Sequence, residues 1–123
     1  MSTWLAIAAV NGALAVLAGA FAAHGLQGRL DAHALEIFET GARYHMYHAL
    51  ALGLAALAMR GDAAPRARIS AWFFLSGIVL FCGSLYMLAL VGTSALVYVT
   101  PFGGLAFLGG WLVLAGAAMK LRV

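Results

Sequence analysis

Charge is what this sequence most lacks. Seven Lys and Arg and four Asp and Glu make up 9% of its 123 residues, while 65% are hydrophobic. Soluble domains carry about 25% charged residues, so this chain has too few polar groups to cover itself in water, and its mean hydropathy is +1.00. Disorder, which requires low hydrophobicity and high charge, is equally excluded. The single cysteine, Cys82, sits in an apolar run, which rules out an internal disulfide and makes the thiol a small buried hydrophobe. The net charge of +3 comes from scattered side chains with no basic run, which argues against a nucleic-acid partner. No Gly-rich phosphate loop is present, and the acids all lie outside the apolar runs. The chain therefore reads as a non-enzyme that calls for no cofactor.

What remains is a set of long apolar runs in one domain, residues 1–123. Residues 4–23 carry no Asp, Glu, Lys or Arg, and 20 such residues span about 30 Å, the thickness of a bilayer's hydrocarbon core. Further runs cover 44–59, 69–90 and 101–119. The second is short unless it begins earlier or includes Arg43 and Arg60 as snorkelling ends. Gly61 and Pro65 punctuate the polar turn at 60–68, and Thr100-Pro101 reads as N-cap and first residue of the fourth helix. The fold class is an all-α membrane protein with four transmembrane helices. Between the first two, the segment 25–43 places Leu30, Ala34, Ile37 and Phe38 at helical spacing, with Glu39 and Arg43 in the favourable i,i+4 order and a helix expected over about 31–43. This predicts a separate amphipathic helix lying in the interface.

Orientation follows from Lys and Arg. Arg60, Arg66, Arg68, Lys120 and Arg122 share one side, Arg29 and Arg43 the other, so both termini are predicted to be cytoplasmic. Ala20-Phe21-Ala22 resembles a signal-peptidase site, but Met1-Ser2-Thr3 has no basic residue, which favours an uncleaved helix.

Small residues recur every seven positions: Gly12 with Gly19, Gly77 with Ser84, Ser76 with Gly83, Gly103 with Gly110. Ala49, Gly53 and Ala56 form a similar strip. A period near 3.5 predicts close, left-handed packing. Glycine faces without a partner inside the chain would meet another copy, so a homo-oligomer is expected beside the lipid bilayer itself. Asn11, the one amide inside the first run, calls for a hydrogen bond across the helices, and Trp111, near the middle of the fourth, calls for a partner for its indole N–H.

All four histidines, His24, His33, His45 and His48, gather near the predicted outer interface with Asp31, Glu36 and Glu39. His45 and His48 are three apart and form a weak metal pair lacking a third ligand. Two further readings stand beside a non-enzymatic protein acting through lipid or protein partners: a carrier or channel gated by His24 and His48, and a metal or haem protein.

The segments Gly19-Ala-Phe-Ala-Ala-His-Gly-Leu26, Phe38 to Leu52, Leu80 to Leu90, and Thr100-Pro-Phe-Gly-Gly104 with Gly110-Trp111 resemble the YgdD-like family of small membrane proteins. That family is domain-of-unknown-function family 423, similar to eukaryotic transmembrane protein 256. The resemblance covers nearly the whole chain and implies a four-helix protein of the bacterial inner membrane, without a reaction, substrate or cofactor. Its pattern falls on Gly19, Phe21, His24, Gly25, Tyr44, His48, Gly83, Ser84, Leu85, Tyr86, Thr100, Pro101, Gly103, Gly104 and Trp111. Position 45 departs from it, since the family carries glutamine there more often, which weakens the metal pair. His24 and His48, with Tyr44, Tyr86, Glu39 and Arg43, then form the expected polar site at the outer interface.

Overall fold

The computed structural model describes residues 2–122. They form four long helices. We label them α1 (Thr3–Gly25), α2 (Ala32–Leu57), α3 (Gly61–Val91) and α4 (Thr100–Ala118), the last preceded by a 3-10 turn over Ser94–Tyr98. No strand occurs among the described residues.

The first two N-termini are capped by short polar side chains. Ser2 Oγ accepts from the Leu5 N–H at 3.1 Å and Asp31 Oδ1 from the Ala34 N–H at 2.8 Å, each satisfying a donor the helix leaves open. Pro101 opens α4. Thr100 does not cap it. Its hydroxyl lies 2.6 Å from Ser84 Oγ and 3.3 Å from the Leu96 carbonyl, so it ties α4 to α3 instead. Gly92, at φ 77°, ends α3 in the left-handed conformation that glycine adopts without steric penalty.

One expectation is corrected in α2. The amphipathic segment at 31–43 and the second apolar run are one uninterrupted helix of 26 residues. No proline separates them, and Gly41 is buried with Tyr86 and Leu85 against it, where tertiary contact holds the helix together. Three helical stretches, Thr3–Gly25, Gly61–Val91 and Ser94–Ala118, are long and apolar enough to cross a membrane by length and composition. α2 is not among them, because Arg43, His45 and His48 lie within it.

The helices run antiparallel in sequence order. α1 packs along α2, α4 along α3, and α2 and α3 meet in the centre. Ala8, Leu52, Ala55, Phe74, Ile78, Cys82 and Phe107 make up most of the main core. Outside it, Leu17 is 65%, Leu50 64% and Leu112 73% exposed. Aliphatic side chains that exposed over whole helices fit hydrocarbon as the surrounding solvent.

Glycine sets the α3–α4 contact. A Cβ on Gly103 would overlap the backbone of Phe81, one on Gly77 would overlap the Phe107 ring, and one on Gly110 would come 2.6 Å from the Phe74 ring. Phe81 lies in a single widened turn, Ile78–Cys82, where the i→i−5 pattern pushes the backbone out. Gly12, Gly19 and Gly83 differ: nothing lies within 4 Å of a Cβ built on them, so packing within the chain does not use these three. Gly53 faces the Ala8 methyl at 3.9 Å.

Five of the seven basic residues meet at one end. Arg60, Lys120 and Arg122 line one depression, and the Arg66 guanidinium donates to the Gly116 carbonyl at 3.1 Å, closing the C-terminal turn of α4.

Candidate functional site

The polar groups inside the helices organise around α2. His45 is 6% and His48 5% exposed, and although three apart they face different helices. His45 Nε2 lies 3.0 Å from Asn11 Oδ1 on α1, and His45 Nδ1 lies 2.9 Å from the Tyr86 hydroxyl on α3. Asn11 gives its Nδ2–H to the Ile7 carbonyl at 2.9 Å, so its oxygen is the atom that receives His45. This fixes the protons: Nε2–H donates to Asn11, and Nδ1 accepts from Tyr86. The result is a one-way chain from Tyr86 through His45 to Asn11, joining three helices with every atom satisfied.

His48 has the opposite tautomer. Its Nδ1 lies 2.8 Å from the Tyr44 carbonyl, which can only accept, and its Nε2 receives the Trp111 indole N–H at 3.1 Å. The imidazole also stacks on Phe107, with ring centres 3.5 Å apart and planes 7° apart. It is thus held on three sides, by α2, by Trp111 and by Phe107. Among the described residues no buried side-chain nitrogen or oxygen lacks a partner.

The expected polar site is therefore divided. His48 and Tyr44 line one cleft of about 420 Å³, with Tyr47, Phe81, Phe107 and Trp111. Glu39 and Arg43 border another of about 380 Å³, beside Ala15, Gly19, Ala42 and Met46. Tyr86 turns to His45 instead. His24 is exposed at the end of α1 and joins none of these. His45 and His48 do not converge, so their spacing offers no shared metal position, and the described residues hold no group of three His, Cys, Asp or Glu suited to a metal.

The sequence contained Asn11, His45, His48 and Trp111 as polar groups in apolar runs, but their pairing was not legible. A spacing of three puts two imidazoles near one face of a helix, yet a helix with neighbours on several sides can send them apart.

The architecture is that of a helical membrane protein whose buried polar groups are paired with one another or with the backbone. Relatives agree. The family profile described as "Protein of unknown function (DUF423)" matches residues 18–104. The chain is 42% identical to UPF0382 membrane protein YwdK of Bacillus subtilis, over 98% of both chains. It is 44% identical to a UPF0382 membrane protein of Haemophilus influenzae, over 97% of this chain and 95% of the other. With UPF0382 inner membrane protein YgdD of Escherichia coli it shares 41% identity, over 96% and 90%. The chain belongs to the DUF423 family. No solved structure matches it.

Proposed function

We propose that this is a four-span protein of the bacterial inner membrane, with left-handed helix packing and cytoplasmic termini. In this reading it acts without enzymatic chemistry, through the lipid and the further copies of itself that its outer surface contacts. The observation that carries the reading is the closure of the in-span polar groups on one another. A solute pathway needs polar groups that exchange partners with the solute, whereas Asn11, His45, Tyr86, His48 and Trp111 are all engaged with each other or with the backbone.

The crossing of α2 is supported by its 26 residues, about 39 Å at 1.5 Å each, which exceeds the hydrocarbon thickness of about 30 Å. Its outward side carries Leu50, Leu54 and Leu57, all exposed, while His45 and His48 are turned in. The oligomer is supported by the open strip of Gly12 and Gly19. The orientation is supported by the basic residues meeting at one end.

Flux into liposomes tests the central part. Vesicles with and without the protein should take up protons and small solutes at the same rate. A protein-dependent flux abolished by His48→Ala would establish a carrier and overturn this reading. Native mass spectrometry in mild detergent should show a discrete oligomer, and a strict monomer would remove that element.

A further inference from the structure

We propose that the cleft under His48 is a lateral binding site for a planar, conjugated, lipid-soluble ring of the quinone class, entering from the bilayer. This deepens the reading above, since it names one lipid-phase partner, but its test is independent of oligomeric state and of transport.

Two of the clefts between helices, similar in size, differ in their walls. One, of about 370 Å³ between α1 and α2, is lined by aliphatic and small side chains such as Leu5, Ala8, Gly12, Ala49 and Leu54. The other, of about 420 Å³, is walled by Tyr44, Tyr47, Phe81, Phe107 and Trp111 around the His48 imidazole. A saturated acyl chain gains equally from either wall, because dispersion and apolar burial do not distinguish methylene from ring. A conjugated ring does distinguish them, through offset and edge-to-face contacts with other rings.

The aromatic wall is also preorganised. Phe107 is stacked on His48, Tyr44 lies 4.9 Å from Phe81 between ring centres, and His48 is held at both nitrogens. Ligand binding then orders little that is not already fixed. The cleft opens to the surroundings, with Tyr47 52% and Trp111 42% exposed. Neither the Tyr44 nor the Tyr47 hydroxyl has a partner among the described residues, so both are donors available to a ring carbonyl. Gly104 borders the cleft, and a Cβ there would meet only Phe81 Cδ2, at 4.0 Å.

Gly104 therefore supplies the test, because a larger residue fills the cleft without moving the helices. In detergent-purified protein carrying Trp4→Phe and Trp72→Phe, Trp111 is the sole tryptophan and reports the cleft. A fully substituted benzoquinone with a decyl tail should quench it saturably. Gly104→Leu should weaken that binding by about tenfold or more. Decylcyclohexane, with the same tail on a puckered, unconjugated ring, should compete about tenfold more weakly than an equally sized aromatic competitor. Tyr44→Phe with Tyr47→Phe, which keeps both rings, should weaken binding by about threefold or more. Quenching that never saturates and is unchanged in Gly104→Leu would show collision from the detergent phase and overturn the site. Equal competition by decylcyclohexane would overturn the ring specificity, and full affinity in the double Tyr→Phe variant would overturn the quinone class. In the chain with all tryptophans intact, the quinone should raise the melting temperature read by circular dichroism. No rise, or an equal rise in Gly104→Leu, would likewise overturn the proposal.

Discussion

Replacing Gly103 by alanine adds one methyl at the closest approach of two helices. The new Cβ would overlap the Phe81 backbone nitrogen and lie 2.7 Å from its Cα, and backbone cannot swing aside as a side-chain end can. Overpacking of this kind costs about 1–3 kcal/mol. Alanine also regains about 0.5–1 kcal/mol of helix preference over glycine, which would blur a single measurement. Gly104→Ala cancels that term, because it makes the same change one residue on in the same helix, with only Phe81 Cδ2 near the added carbon, at 4.0 Å. The difference in unfolding free energy between the two variants therefore isolates the steric cost, about 1–3 kcal/mol with Gly103→Ala the less stable. Both would be unfolded in mixed micelles by titration with a denaturing detergent, followed by tryptophan fluorescence. Equal stabilities, or a less stable Gly104→Ala, would refute the α3–α4 contact described above.

Other outcomes follow from the same geometry. His45→Gln keeps one donor and one acceptor and should retain most of the stability that His45→Leu loses, about 1 kcal/mol or somewhat more, measured in the same titration; equal losses would argue against the Tyr86–His45–Asn11 chain. Cys82 is 0% exposed, so the folded protein should resist maleimide labelling and become reactive once denatured, and rapid labelling of the native state would contradict its place in the core. A C-terminal reporter should be active only in the cytoplasm, since the basic end carries Lys120 and Arg122; activity outside would reverse the orientation.

Much of the fold was legible because its strongest signal is the scarcity of charge. The runs at 4–23 and 101–119 correspond to α1 and α4 within about two residues, and the run at 69–90 lies inside α3, which starts earlier, at Gly61. The second run was less legible. Its polar N-terminal half looks like a surface helix by periodicity, and only the neighbours of Gly41, Phe38 and His45 make it continuous with the rest. The repeats of glycine marked candidate contact faces, but spacing could not say that Gly103 meets Phe81 while Gly12 meets nothing within 4 Å. In the candidate site, the need of Asn11 and Trp111 for partners followed from their polarity in apolar runs. Which histidine each would take depends on helix rotation, which no local pattern encodes. His24 and His48, placed together by topology alone, are separate because α2 begins at Ala32, which sets His48 about 24 Å along that helix, while His24 lies at the end of α1.

The pairing of the buried polar groups with one another is measured most directly by nitrogen NMR of histidine-labelled protein in detergent. Ring nitrogen shifts separate the two neutral tautomers from the charged imidazolium. Opposite neutral tautomers are expected at the two sites, His45 protonated at Nε2 and His48 at Nδ1, with the His48 Nε2 signal moving in Trp111→Phe and the His45 signals unmoved. Two charged imidazoles, or two histidines in the same tautomer and indifferent to Trp111, would contradict that pairing.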